Sequence, residues 1–227
     1  MLLPLPALLS HDDLAAVRSL IDPADWIDGN ATSGHQARLV KHNLQLPETG
    51  DVARQAGQIV LAALARSPVF IAAALPARIY PPMFNSYAGG QNYGLHVDNA
   101  VRVLPDGDGS VRADLSITVF LEDPEAYDGG ELTIETAFGA QRVKLAAGDA
   151  VLYPSSSLHR VEPVTRGRRL ASFFWVQSMV RDEGARSSLF DLDQSIQQLA
   201  TELGPANPAL VRLTGVYHNL LRRWADG

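Results

Sequence analysis

His96 and Asp98 lie two residues apart, and His159 and Arg169 follow far downstream in a chain of 227 residues. If the stretch Gly94-Leu95-His96-Val97-Asp98-Asn99 is a strand, the imidazole of His96 and the carboxylate of Asp98 leave the same face. Together they supply two of the three ligands of a 2-His-1-carboxylate triad, the set that holds non-heme Fe(II) with open coordination positions. His159 is the candidate third ligand. It stands at the head of a later strand, after Tyr153-Pro154-Ser155-Ser156-Ser157-Leu158, and a jelly-roll can bring that strand beside the first. Taken alone, a His-x-Asp pair is also what a strand end uses to hydrogen-bond a loop. The downstream histidine strengthens the metal reading.

Arg169 opens the most apolar strand of the chain, Leu170-Ala171-Ser172-Phe173-Phe174-Trp175-Val176, and shares a face with Ala171, Phe173 and Trp175. A guanidinium facing inward there needs a bidentate anion partner. No run of carboxylates lies nearby, so the carboxylate of a ligand is the candidate. A snorkelling arginine at a strand end is the alternative. The neighbouring Arg166 and Arg168 read as solvated. Of the other histidines, His11 and His218 fall in helical segments, and His35 and His42 flank a loop. None of the four has the β-strand and turn context of His96 and His159.

The elements that must position these residues can be read from periodicity. Ser10 and Asp13 have capping-box spacing before a helical stripe of Leu14, Val17, Leu20 and Ile21, which Pro23 ends. Met1–Leu9 reads as an edge strand or packed arm. Residues 37–46 could hold a short strand. Thr49 or Asp51 begins a second helix, carried by Val52, Ala56, Ile59, Val60, Ala63 and Leu64, and Pro68 closes it. Short β-like runs then follow at 84–87, 93–98, 114–121, 131–135, 141–145, 149–153, 159–164 and 169–179, punctuated by glycine turns. That spacing predicts a jelly-roll or barrel. Leu115, Ile117, Val119 and Leu121 alternate with Asp114, Ser116, Thr118 and the exception Phe120, which predicts one buried face. Asp128-Gly129-Gly130-Glu131 reads as a hairpin turn, and the glycine-rich loop 103–112 as a candidate lid over the metal. Helical spacing returns at Leu189, Leu192, Ile196, Leu199 and Leu203. Gly204-Pro205-Ala206 breaks it, and Asn207 and Pro208 start another helix. The two form an αα-hairpin that docks on the β region, on itself or on a second copy.

The expected class is α+β with a mainly β core. The division is 1–77 as an N-terminal support region, 78–180 as the jelly-roll, and 181–227 as the helical hairpin. A hydrophobic fraction of 46%, a charged fraction of 19% and a net charge of -6 are those of a soluble protein. The acidic balance argues against a nucleic-acid or anionic-membrane partner. No transmembrane run and no signal peptide is read, so a cytoplasmic location is expected. There are no cysteines. Disulfides, thiolate metal sites and cysteine nucleophiles are therefore excluded, and any metal must rest on His, Asp or Glu.

His96-Val97-Asp98, His159 and Arg169 resemble the His-x-Asp…His…Arg signature of Fe(II)/2-oxoglutarate-dependent dioxygenases. The wording is closer to one subgroup. Phe84-Asn85-Ser86-Tyr87, His96-Val97-Asp98-Asn99-Ala100-Val101-Arg102, Tyr127-Asp128-Gly129-Gly130-Glu131-Leu132, the run from Leu152 to Val161 and Ala171–Ser178 are similar to bacterial PKHD-type hydroxylases. The resemblance spans nearly the whole chain and implies a double-stranded β-helix core with Fe(II), 2-oxoglutarate, O2 and, as reductant, L-ascorbate. It assigns His96, Asp98 and His159 to the metal and Arg169 to the distal carboxylate of 2-oxoglutarate. Tyr87, Asn85 and Tyr93 are further candidates to hydrogen-bond the oxoacid. The implied reaction couples oxidative decarboxylation of 2-oxoglutarate to hydroxylation of a small-molecule or peptide substrate. A link to iron uptake is conceivable from the family, and the C-terminal hairpin could support a homodimer. Two other classes stay open at this point: a cupin-like iron enzyme without an oxoacid, and a non-catalytic jelly-roll that binds iron or a ligand.

Overall fold

A computed structural model describes residues 1–32 and 40–226. The elements run as β1 (Leu3–Leu5), α1 (His11–Ile21), β2 (Ile27–Asp28), β3 (Lys41–His42), β4 (Leu44–Gln45), α2 (Asp51–Ala65), α3 (Pro68–Ala74), β5 (Pro76–Ile79), β6 (Met83–Ala88) and β7 (Asn92–His96). There follow β8 (Val101–Val103), β9 (Ser110–Arg112), β10 (Leu115–Phe120), β11 (Asp128–Gly129), β12 (Leu132–Thr136), β13 (Gly139–Val143), β14 (Ala150–Pro154) and β15 (His159–Val161). The chain ends with β16 (Val164–Arg166), β17 (Arg168–Ser178), α4 (Glu183–Leu203) and α5 (Pro208–Trp224).

These strands build two main antiparallel sheets and two two-stranded ribbons, β8–β9 and β11–β16. The larger has the order β1-β14-β10-β17-β6-β4-β2, with β5 also pairing β17; the smaller has the order β13-β12-β15-β7-β3. Each is laid down by strands distant in sequence, as a jelly-roll requires.

The side-chain period of two explains the layers. Along β10, Leu115, Ile117 and Val119 join Leu152 of β14 and Leu170, Phe174 and Val176 of β17 in a core beneath the helices. Val17 and Ile21 of α1, Val60 and Leu64 of α2 and Phe70 of α3 close that core from the other side. The opposite face is buried too. Phe120, Val151 and Tyr153 pack between the sheets against Leu132, Ile134 and Val161. All six residues of β10 are buried, so the expectation of one buried face is corrected. The polar positions Ser116 and Thr118 face a pocket between the sheets, not solvent.

Helix starts follow local chemistry. Ser10 caps α1 in a reciprocal box with Asp13. Gly50, not Thr49, is the N-cap of α2, which opens at Asp51. Pro68 does not close α2. That helix ends at Ala65, and Pro68 takes the first turn of α3 behind an Ser67 cap. A proline is as well suited to a helix start as to an interruption.

The 103–112 segment is mostly the turn and second strand of the β8–β9 ribbon. Arg112 pins it by pairing Asp114 at 2.7 Å and Asp226 at 3.0 Å, and none of its residues lines the pocket. The lid expectation is therefore corrected. Asp128-Gly129 is not a hairpin turn either: as β11 it pairs β16. Arg168 is half-buried, its guanidinium 4.9 Å from the Trp26 ring centroid and its Nε donating to the Ser86 hydroxyl at 2.8 Å. Arg166, as read, stays exposed, in an ion pair with Asp128.

The C-terminal hairpin docks on the body of the protein. Tyr217, Leu220, Leu221 and Trp224 of α5 pack with Leu189 of α4 against Leu75 and Val180. His11 and His218 are exposed on helices, and His42 is exposed on β3. His35 and residues 37–39 of the proposed short strand lie outside the described residues; β3 and β4 occupy the rest of that stretch. No single helix among the described residues is long and apolar enough to cross a membrane.

Candidate metal centre and its pocket

β7 and β15 lie side by side in the smaller sheet, with His159 opposite His96 and Val161 opposite Tyr93. Three residues of β15, 159–161, thus face four of β7, 93–96, which is a β-bulge. In a regular strand Tyr93 and His96 would point to opposite faces. Across the bulge both line the pocket, and their rings stack with centroids 3.5 Å apart. Gly94 lies in the bulge because a Cβ there would come 2.8 Å from Cβ of Val40.

Asp98 is not on the strand with His96, since β7 ends at His96. The chain leaving the strand nevertheless brings its carboxylate back. Oδ2 of Asp98 lies 3.7 Å from Nε2 of His159, and one ligand atom from each of His96, Asp98 and His159 falls within 4.8 Å of the others. The Nδ1 atoms of His96 and His159 lie 2.7 Å and 3.0 Å from the carbonyls of Gly94 and Ser157. A carbonyl can only accept, so each Nδ1 carries a proton, which in the neutral ring leaves Nε2 with its lone pair. This is how a metal-binding histidine is oriented. Burial, and then the neighbouring His159, hold the His96 imidazole well below its ordinary pKa and favour the neutral form.

Asp98 is oriented in turn. Ser116 donates to its Oδ2 at 2.6 Å, and the Ser116 and Ser155 hydroxyls are 2.8 Å apart. Sequence reading missed both serines. The signal available was the position of Ser116, on the opposite side of β10 from Leu115 and Ile117.

The pocket has a volume of about 650 Å³, within the usual range for small-molecule sites. Arg169 lies on its floor and is 1% exposed, the largest fully buried side chain among the described residues. Its guanidinium sits 5.5 Å from the Tyr87 ring centroid and 5.4 Å from that of Phe120. Its protein hydrogen bond is a long one, 3.5 Å from Nη1 to Oδ1 of Asn85, and its Nε has none. No side-chain carboxylate lies within ion-pair distance among the described residues, and residues 33–39 include no Asp or Glu. Gly130, at φ +68, lets the stem through: a Cβ there would come 3.1 Å from Cδ of Arg169. Burial pushes the Tyr87 hydroxyl up to about 12 and raises those of Tyr93 and Tyr153 as well. All three remain protonated donors on the pocket wall.

The superfamily model described as 2OG-Fe(II) oxygenase matches residues 82–177, and that of the PKHD-type hydroxylase C-terminal domain matches residues 183–226. A PKHD-type hydroxylase of Rhizorhabdus wittichii is 59% identical over 226 residues, covering 100% of both chains. The chain belongs to the PKHD-type hydroxylases. It is therefore a 2-oxoglutarate-dependent dioxygenase of a family that uses Fe(II), which removes the oxoacid-free and non-catalytic alternatives. Among solved structures, a Pseudomonas putida prolyl-4-hydroxylase is 20% identical with a TM-score of 0.52, covering 78% of this chain and 92% of that one. HygX from Streptomyces hygroscopicus, with nickel, 2-oxoglutarate and hygromycin B bound, is 17% identical with a TM-score of 0.52, covering 79% and 84%. At such identities the likeness is one of fold, the jelly-roll of the 2OG-Fe(II) oxygenases.

The residues present fit what a PKHD-type hydroxylase must hold. Two imidazoles and a carboxylate, each already oriented by a hydrogen bond, are the donor set for non-heme Fe(II). On the floor of the same pocket, Arg169 is a buried cation with an unused donor. Such a charge is costly to leave unpaired, and a ligand carboxylate would satisfy it.

Proposed function

We propose that His96, Asp98 and His159 hold the Fe(II) and that Arg169 pairs with the distal carboxylate of 2-oxoglutarate, with Tyr87 beside it. The observation that carries this reading is the buried, carboxylate-free guanidinium of Arg169 in the same pocket as the three clustered ligand atoms. When bound, the iron supplies the redox chemistry that combines O2, the oxoacid and a substrate C–H bond.

The chain's own residues supply position. The Gly94 and Ser157 carbonyls hold the two imidazoles, and Ser116 and Ser155 hold the carboxylate. Tyr93 stacked on His96 fixes the ring plane. Tyr87, Phe120 and Tyr153 wall the floor with buried side chains, so charges there act in a dry setting and attract more strongly than in water. A salt bridge there would orient the oxoacid within the pocket that His96, Asp98 and His159 also line.

The overall reaction on this reading is hydroxylation of a small molecule or peptide, with 2-oxoglutarate converted to succinate and carbon dioxide. L-ascorbate keeps the iron reduced, and the setting is the cytoplasm. We read residues 1–77 as a support region, 78–180 as the catalytic jelly-roll and 181–227 as a helical hairpin. Val211 and Val216 of α5 are exposed, which supports a pairing surface between two copies.

The test is succinate formation by the purified protein. It is expected to require 2-oxoglutarate, O2 and Fe(II), to vanish on chelation and to return with Fe(II) but not Zn(II). Turnover that survives chelation, or that proceeds without 2-oxoglutarate, would refute the assignment.

A further inference from the structure

Another cation lines the pocket, and the metal and oxoacid do not account for it. Arg102, on β8, is half-buried, and its guanidinium lies 4.5 Å from the Trp175 ring centroid and 5.3 Å from that of Tyr80. Stacking on aromatic rings holds the planar group in place at little cost to its hydrogen-bonding edge. No carboxylate side chain is within ion-pair distance of it among the described residues, and residues 31–39 contain none. Glu48, the acid whose charge reaches the neighbouring Lys41, accepts instead from the Tyr80 hydroxyl.

The charges of the pocket point the same way. Asp98 is the sole carboxylate among the described lining residues, against Lys41, Arg102 and Arg169. With iron and 2-oxoglutarate in place, the metal and Arg169 are balanced by Asp98 and the two carboxylates of the oxoacid. Lys41 is already engaged with the Gly29 carbonyl at 2.9 Å and with Gln45 Oε1 at 3.2 Å. Arg102, held by the Trp175 and Tyr80 rings and the Tyr80 hydroxyl, has no carboxylate to balance it, in a chain whose net charge is -6. A cationic pocket in an acidic protein draws anions selectively. The pocket lining also includes Leu95, Val97 and Leu158, which are 48%, 52% and 43% exposed.

We propose that the substrate is a carboxylic acid with an apolar body: Arg102, presented by Trp175 and Tyr80, pairs with its carboxylate, and Leu95, Val97 and Leu158 receive the body. This rests on the dioxygenase site described above and names the substrate class of that same pocket.

The test uses the full-length protein loaded with Mn(II) and saturated with 2-oxoglutarate, whose own proton signals report that the oxoacid site is filled. The probes are straight-chain acids from butanoate to octanoate and their amides, followed by proton line broadening from the bound Mn(II). Acids are expected to bind at least tenfold more tightly than the matching amides, and Arg102→Gln is expected to remove that preference while 2-oxoglutarate binds as in the wild type, about the effect of losing one charge-assisted hydrogen bond. Arg102→Lys, which keeps the charge without the stacked planar fork, is expected to restore part of the preference. Equal binding of acids and amides, absence of binding by any acid, or an acid preference that survives Arg102→Gln would overturn the proposal. If 2-oxoglutarate itself is not broadened in the wild type, the underlying site assignment fails, and the proposal fails with it.

Discussion

Asp98→Ala is expected to abolish 2-oxoglutarate turnover and to weaken Fe(II) binding by more than about 100-fold. Losing a residue that merely orients a metal ligand typically costs roughly 10- to 100-fold in affinity, and Asp98 supplies the only carboxylate of the cluster. The fold should survive. The carboxylate's one side-chain hydrogen bond comes from Ser116, which keeps Ser155 as a partner. Iron content after dialysis, succinate yield and melting temperature together check this. An Asp98→Ala protein that retains iron and turnover would show that the metal lies elsewhere. Unfolding would show that the residue is structural.

Arg169→Met is expected to raise the half-saturating 2-oxoglutarate concentration by roughly 30-fold or more, the equivalent of about 2 kcal/mol, the lower end for truncating one partner of a buried charge pair. A second readout separates binding from structure. In the protein without ligand the guanidinium is buried, has no carboxylate partner and leaves Nε unpaired. Replacing it by an apolar side chain should leave the melting temperature of the ligand-free protein unchanged or higher. In the wild type, 2-oxoglutarate at 100 times its dissociation constant should stabilise by about 2.7 kcal/mol, and at the same concentration Arg169→Met should lose most of that gain. An unchanged requirement for 2-oxoglutarate would remove Arg169 from the site. A large fall in the ligand-free melting temperature would make it a packing residue.

Much of this was legible in the residues. The switch from helical to alternating period near residue 78 marked the sheet region, and Ser10 with Asp13 marked a capping box that forms. His96, Asp98, His159 and Arg169 were singled out by type and spacing, and the fold brings all four into one pocket. What was not legible depends on contacts between distant strands. The bulge in β7 is a mismatch of count between two strands, invisible in either alone, and it turns Tyr93 and His96 to the same side. Asp98 was placed on the strand because local spacing carries no information about where pairing stops. The alternation of β10 was read as one wet face because polar residues at every second position look the same facing solvent or facing a polar pocket. Pro68 was read as a stop because a proline stop and a proline at the first turn share one letter. Arg168 was read as solvated and Arg102 was given no role, since the rings that hold them, Trp26 and Trp175, are far away in sequence.

The most direct test of the site is an anaerobic titration of the Fe(II)-loaded protein with 2-oxoglutarate, followed by the visible absorption of the iron–oxoacid chelate. The expected result is a band that saturates at one equivalent per chain in the wild type, requires far more 2-oxoglutarate in Arg169→Met, and is absent in Asp98→Ala. Absence of the band in the wild type, or its appearance at undiminished strength in Asp98→Ala, would contradict the assignment of the metal and the oxoacid to this pocket.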